Sequence, residues 1–283
     1  EIHSRADELG VNLKTVYLGD EYIEMLKNPK HGFGAGMNPC VDCRAMMFEA
    51  AKKHMEEIDA EFIISGEVVG QRPMSQHRPA LKTIEKDSGL QGKIVRPLSA
   101  ALLPPTEPEI NGLIKREDLG KIRGRSRKGQ LTMAKEFGIQ DPPNAGGGCL
   151  LTDPAFGKRA KDLFSHIETP TTNDIDLLKV GRHFRLDEDS KLIVGRDHNE
   201  NEIIKALALP DDIILEAKDQ MGPTTLIRGK DLDKHKKLAA SVTLRYSDAP
   251  SDQTCTVLVK NGNDASEITA QSANEEDYLK YRI

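Results

Sequence analysis

Apolar and polar positions along the first hundred residues alternate between two periods. Residues 42–57 place Met47, Ala51 and Met55 at four-residue spacing, which predicts a helix with one apolar face. Residues 60–66 form a short, β-branched apolar run that predicts a buried strand. Residues 79–86 then predict a second helix and residues 93–96 a second strand. The chain opens inside a helical pattern stopped by Gly10, and residues 13–18 follow as a further predicted strand. Strands separated by helices pair in parallel and are covered on both faces, so this half predicts an α/β domain. Ligands in such sheets sit at the carboxyl ends of the strands, which directs attention to the loop after Ile64. A helix-then-strand opening without an initiator Met leads us to expect a first strand and its loop ahead of Glu1.

The texture changes after residue 96. Pro97, Pro104, Pro105 and Pro108 break any long element, residues 131–137 predict a helix, and the Pro- and Gly-rich residues 141–149 do not. A further helix closes at residues 163–166, and residues 169–173 read as a linker. Beyond it, residues 183–186 and 191–194 predict a hairpin around Asp187-Glu188-Asp189-Ser190. A helix at 200–206, strands at 213–217 and 224–227, a helix at 232–239 and strands at 241–246 and 254–260 complete the pattern. The expected organisation is therefore a larger α/β domain over residues 1–168 and a smaller α+β domain over residues 175–283. The acidic residues 275–277 read as a solvated end.

Composition narrows the function classes. The 283 residues are 37% hydrophobic, enough for one large or two ordinary domains. No apolar run approaches the ~18–20 residues that span a bilayer, and four cysteines are too few for a disulfide scaffold. The expectation is a protein of the reducing cytoplasm with no membrane partner. The net charge of −5 is unevenly spread: residues 1–150 carry 21 basic and 21 acidic side chains, residues 151–283 carry 19 and 24. A polyanion site must then be a local patch, and with no Trp and 4% aromatic residues base-stacking platforms do not dominate.

Asn38-Pro39-Cys40-Val41-Asp42-Cys43 is the strongest local signal, because Cys-x-x-Cys sets two soft thiolates within one turn, the spacing of a zinc or iron–sulfur site. Cys43 falls at the start of the predicted helix, where the dipole favours thiolate. Cys149 follows Gly146, Gly147 and Gly148, which let backbone N–H groups approach a bulky group. Three readings stay open: a redox dithiol, although the intervening residues are unlike a thioredoxin site; a structural zinc completed by Cys255 or a histidine; and a three-cysteine cluster. Cys255 lies on a predicted strand and reads as a buried structural cysteine. Residues 65–78 hold two glycines, polar side chains and two arginines, which suit a phosphate and equally an ordinary βα loop. Residues 121–128 pack five positive charges into eight positions, either a solvated face or a phosphate-backbone patch.

Taken together, several segments resemble one family. They are Asn38-Pro-Cys-x-x-Cys43, Ser65-Gly-Glu-Val-Val-Gly-Gln-Arg-Pro-Met-Ser-Gln76, Arg96-Pro-Leu-Ser99, Leu103-Pro-Pro105, Gly124-Arg-Ser-Arg127 and Gly146-Gly-Gly-Cys-Leu-Leu-Thr-Asp-Pro154. Residues 1 to about 165 are similar to the PP-loop ATPase (adenine nucleotide α-hydrolase) thiouridine synthases of tRNA, in the branch with a three-cysteine [4Fe-4S] cluster. The resemblance implies a Rossmann-like (HUP/PP-loop) parallel sheet and the ATP-dependent adenylation, with Mg, of a uridine carbonyl oxygen that sulfur then replaces. It implies Cys40, Cys43 and Cys149 as cluster ligands, with the incoming sulfide on the open iron. Ser65, Gly66, Glu67 and Gln71 would line the nucleotide pocket, and Arg72, Arg78, Arg123, Arg125, Arg127 and Lys128 would hold tRNA phosphates. The family's Ser-Gly-Gly-x-Asp-Ser phosphate loop is absent and would lie before Glu1. The second half, through Leu192-Ile-Val-Gly-Arg196, Asn199, Asn201 and residues 217–222, is similar to NFACT-type RNA-binding domains, with Arg182 and Arg196 on the RNA face. Expected partners are tRNA and sulfide or another small sulfur donor, and a homodimer is allowed. The competing readings are a non-catalytic RNA-binding protein with a structural zinc on a degenerate PP-loop scaffold, and ATP-dependent thiolation of a small molecule.

Overall fold

The computed structural model describes residues 2–139, 142, 148–262 and 264–283. They form two compact units, Glu1–Cys149 and Leu150–Ile283.

In the first unit, α1 (Ile2–Leu9) ends at Gly10, whose φ of +64° is a left-handed stop that glycine takes without strain. Helix α2 (Gly19–Lys27) and the long α3 (Cys40–Glu57) follow, then β1 (Ile63–Ile64), α4 (Arg78–Asp87), β2 (Ile94–Val95), the short α5 (Glu107–Ile110) and α6 (Lys128–Glu136). Strands β1 and β2 pair in parallel, Ile63 opposite Ile94 and Ile64 opposite Val95. The core between them and the helices gathers Phe48, Met55, Ile84, Leu90 and Ile94. Helix α3 buries Ala45, Phe48 and Met55, while Met47 is 47% exposed. The four-residue series Met47–Ala51–Met55 therefore mistook the face, and the true stripe runs 41, 45, 48, 55. The strand expected at residues 13–18 is not formed. That segment has no ladder partner among the described residues, and Leu13, Val16 and Tyr17 are exposed. β-propensity without a neighbour's N–H and C=O groups makes no strand.

The second unit opens with α7 (Pro154–His166) and α8 (Thr172–Leu177), capped by the side chains of Asp153 and Thr171. Six antiparallel strands follow in the order β3-β4-β6-β5-β7-β8. They are β3 (Arg182–Arg185), β4 (Lys191–Val194), β5 (Ile213–Ala217), β6 (Thr225–Arg228), β7 (Thr254–Asn261) and β8 (Asp264–Gln271), with α9 (His198–Leu207) and α10 (Lys236–Arg245) between them. Residues 241–245 belong to α10 and Tyr246 caps it, correcting the strand expected there: Ala239, Ala240, Val242, Thr243 and Leu244 are buried, and the Thr243 hydroxyl donates back to the Ala239 carbonyl. Strand β8 was not anticipated, because its Asp-Ala-Ser-Glu-Ile-Thr-Ala-Gln sequence carries almost no apolar signal and needs only β7 as partner. Cys255 on β7 packs partly against the main core of this unit.

Helix α7, which the sequence pattern grouped with the first domain, is tied to the second unit by charge. Asp162 takes two hydrogen bonds from Arg185, at 3.0 and 2.6 Å, and lies 3.7 Å from the Lys191 ammonium. Lys191 is 8% exposed, and burial, only partly offset by Asp162, pushes its pKa down to about 8. The folded chain thus holds this proton more weakly than the unfolded one. The charged, buried amine lowers stability below about pH 8, and the deficit is relieved as pH rises towards the ordinary lysine value. The Lys191→Met variant is expected to be more stable near pH 7, by on the order of 3 kcal/mol for a pKa lowered from 10.5 to about 8, since Asp162 keeps Arg185. Urea unfolding followed by circular dichroism checks this, and the gain should shrink when repeated near pH 10.

Candidate functional site

Helix α3 begins at Cys40, two residues earlier than expected, so Cys40 and Cys43 sit one turn apart on one helix face. The preceding loop is built around Asn38. Its backbone carbonyl accepts from the Gly34 and Cys40 amides, both at 3.0 Å, and its side-chain oxygen accepts from the Gly36 amide at 3.0 Å. Its amide nitrogen donates to the Cys40 sulfur at 3.1 Å. Asn38 is buried, and a Cβ on residue 34 would stand 2.4 Å from its Nδ2, so only glycine lets the loop close over this side chain. Asp42, also buried, accepts the His31 amide at 3.0 Å and anchors the loop's other end.

Cys149 reaches the same place. Burial raises the Cys43 thiol pKa, with the Cys149 and Cys40 thiols acting in the same sense, while a hydrogen bond from the Tyr22 hydroxyl and the charge of Arg44 oppose it. Tyr22 is itself pushed well above the ordinary phenol range, by burial first and then by the three cysteines. Tyr22 thus hydrogen-bonds Cys43 and lies within electrostatic range of Cys40 and Cys149. Cys43, expected as a dipole-favoured thiolate, instead has its thiol pKa raised, by burial first. Gly146 and Gly147, expected to approach a bound group, lie outside the described residues. Among the described residues, no three His, Cys, Asp or Glu side chains are grouped to hold a single metal ion.

Arg44 links this cluster to the loop after β1. Its Nε lies 3.2 Å from Glu67 Oε1, Arg96 Nε donates to Glu67 Oε2 at 2.9 Å, and Arg96 also pairs with Glu85. Glu67 and Arg96 are 3% and 2% exposed. Glu67 is therefore a committed structural anion and not an open ligand. Ser65 is buried and accepts the Glu67 amide at 3.3 Å, and Gln71 donates to Gln130 on α6 at 3.0 Å. Gly66 is open: no atom lies within 4 Å of where its Cβ would be.

The loop and the basic run are stitched together. Val69 bridges Arg123, and the Gly124 amide donates to the Val69 carbonyl at 2.8 Å. The fully buried Ser99 hydroxyl accepts the Val69 amide at 3.0 Å and donates to the Ile122 carbonyl at 2.7 Å. Arg72, Arg123, Arg125 and Lys128 are exposed and Arg127 half-buried, while the exposed Arg78 donates to the Leu102 carbonyl at 2.8 Å. Removing the Ser99 hydroxyl leaves a buried donor and acceptor without it, so Ser99→Ala should cost about 1–3 kcal/mol. Amide hydrogen exchange at Val69 and Gly124 should then accelerate.

In the second unit, Arg182 lies 4.5 Å over the Tyr246 ring and donates to the Gly195 carbonyl at 3.2 Å. Arg196 is exposed but clasped by Glu200, which raises its pKa further and also accepts the Arg196 and Gly181 amides. Asn201 accepts the Thr224 amide at 2.9 Å, and a Cβ at Gly195 would stand 2.1 Å from its Oδ1. The Gly195-Arg196 and Asn201 positions are thus a structural clasp around the β4–α9 turn. Asn38 belongs to the motif named from the sequence, whereas Tyr22 and Arg44 were not expected at the site: Arg44 directly follows the Cys-x-x-Cys pair, and Tyr22 carries no local signal.

Residues 181–282 match the family described as the NFACT protein RNA binding domain. No curated protein sequence matches the chain. Among solved structures, the C-terminal part of the fibronectin/fibrinogen-binding protein from Streptococcus suis is 13% identical, over 85% of this chain and 90% of that one, with a TM-score of 0.33. That likeness is too distant to establish a shared fold. The matched region covers the six-stranded sheet of the second unit, so the chain carries an NFACT-type RNA-binding domain. No helix among the described residues is long and apolar enough to cross a membrane.

Proposed function

We propose that the chain is a cytoplasmic, ATP-dependent tRNA sulfurtransferase, a thiouridine synthase built on a Rossmann-like (PP-loop) sheet. The observation that carries the reading is the convergence of Cys40, Cys43 and Cys149 on Tyr22, in a chain that also holds an RNA-binding domain. The reaction class is replacement of a uridine carbonyl oxygen. That oxygen attacks the α-phosphorus of ATP and expels pyrophosphate; sulfide then adds to the ring carbon and AMP departs with the oxygen.

The donor set suits a [4Fe-4S] cluster. Cysteine thiolates are the ligands such clusters take, and Cys40 and Cys149 both act electrostatically on Cys43. Cys40, Cys43 and Cys149 would hold the cluster, which would supply an iron able to carry the incoming sulfur. The surrounding residues orient and tune the thiolates. Asn38 donates to the Cys40 sulfur, Tyr22 donates to the Cys43 sulfur, and Arg44 sets a positive charge beside Cys43. ATP with Mg enters through the resemblance of residues 65–76. Of the four residues proposed for the nucleotide, Gly66 lies open, and Ser65, Glu67 and Gln71 are hydrogen-bonded within the protein. Arg72, Arg123, Arg125, Arg127 and Lys128 supply the phosphate contacts.

The test is anaerobic incubation of the protein with unmodified tRNA, ATP and sulfide, followed by nucleoside mass spectrometry. Thiouridine that requires both ATP and Cys43 is expected. RNA binding with zinc in place of iron and no thiouridine would instead support the non-catalytic RNA-binding reading.

A further inference from the structure

Beside β2 the first unit holds a cavity of about 570 Å³; none of its lining residues belongs to the cysteine site, and of residues 65–78 it takes only Arg78, already expected at an RNA phosphate. Its walls are apolar, from Leu81, Ile94, Leu102, Leu103 and Pro104. Its rim carries Arg78, Lys82 and Lys86, at positions i, i+4 and i+8 of α4 and so on one helix face. The helix rise sets successive cations about 6 Å apart, comparable with the separation of successive phosphates along a nucleic-acid strand. The two carboxylates on the lining are already neutralised: Glu85 pairs with Arg96, and Glu109 with Arg116 at 2.5 Å. Among the described residues no carboxylate pairs with Lys82 or Lys86, both exposed. Three like charges on one face repel one another, and a bound polyanion removes that repulsion. Arg96, buried in the cavity floor, keeps an Nη2 without a hydrogen-bond partner.

We propose that this cavity and its rim are an RNA-binding site for a single strand, in which Arg78, Lys82 and Lys86 take successive phosphates and the apolar hollow takes one unstacked base. The inference rests on RNA being the substrate of the chain, as in the proposed function. A concave, apolar floor beneath a line of cations suits a splayed strand and not a duplex, whose bases are stacked inside. The RNA-binding domain on the same chain favours RNA over an acidic protein segment as the polyanion.

The test is fluorescence anisotropy of the full chain with a labelled, unstructured RNA oligonucleotide and with a duplex of the same length. The Lys82→Ala/Lys86→Ala double variant should bind the single strand roughly tenfold more weakly, with the salt dependence shallower by about two contacts. The arginine pair Lys82→Arg/Lys86→Arg should bind as the parent protein does. Leu103→Trp, which fills the hollow, should reduce the preference for single strand over duplex and leave the salt slope unchanged. Wild-type RNA affinity and salt slope in the alanine pair would overturn the proposal, as would a loss confined to a polyglutamate probe. The assay contains no ATP, iron or sulfide. Absent thiolation with these binding shifts present would therefore sink the enzymatic reading alone, and intact thiolation without the shifts would sink this site alone.

Discussion

Replacing Arg96 by Met is expected to lower the stability of the first unit by about 3–5 kcal/mol, the typical cost of removing one partner from a buried ion pair. Arg96 is 2% exposed and gives Glu67 its one well-formed hydrogen bond from a charged side chain, at 2.9 Å. Arg44 stands 3.2 Å from the other carboxylate oxygen, but that oxygen has no hydrogen bond of good geometry. Without Arg96, Glu67 would be a buried carboxylate with one poorly aligned cation. The double variant Arg96→Met/Glu67→Leu should recover much of the loss, because the two buried charges leave together and only Arg44 and Glu85, both partly exposed, lose a partner. Denaturant unfolding of the two variants checks this. If the single variant unfolds with the parent protein, the network is not the anchor described here. Because Glu67 bridges Arg96 to the arginine beside Cys43, the single variant should also loosen residues 65–71.

Gly229→Ala should disable the second unit. Gly229 has a φ of +139°, a region that side-chain-bearing residues rarely enter. A Cβ there would stand 2.0 Å from the Asp189 carbonyl oxygen and 2.7 Å from the Ser190 Cα, both backbone atoms of the turn between β3 and β4. That turn is further held by the Ser190 hydroxyl, which donates to the Lys230 carbonyl at 2.8 Å. With no flexible neighbour to give way, the cost is at least ~3 kcal/mol. The RNA affinity due to this domain should fall with its thermal transition, while the iron content proposed for Cys40, Cys43 and Cys149 should be unchanged. Unchanged RNA affinity in this variant would mean that the six-stranded sheet is not what holds RNA.

Local periodicity made much of the second unit legible. The β3–β4 hairpin around residues 187–190 was readable because alternation and a polar turn coincide, and β5 and α9 stood out for similar reasons. Residues 241–246 misled because Ser-Val-Thr-Leu-Arg-Tyr has strand propensity, yet burial of Ala239, Ala240 and Leu244 against the sheet keeps the segment helical. In the first unit the Cys-x-x-Cys pair was visible, while its surroundings were not. Tyr22 lies eighteen positions before Cys40, and Cys149 more than a hundred after Cys43, so only folding brings them together. Glu67 shows the converse: its motif pointed to a ligand pocket, and its burial between two arginines gives it a structural task.

The proposed holding of one cluster by Cys40, Cys43 and Cys149 is tested most directly by anaerobic purification followed by iron and acid-labile sulfide analysis, on the parent protein and on Cys149→Ala. About four irons per chain and broad visible absorption are expected in the parent, and loss of most of that iron in the variant. Zinc without iron in the parent protein, or an iron content unchanged by Cys149→Ala, would contradict it.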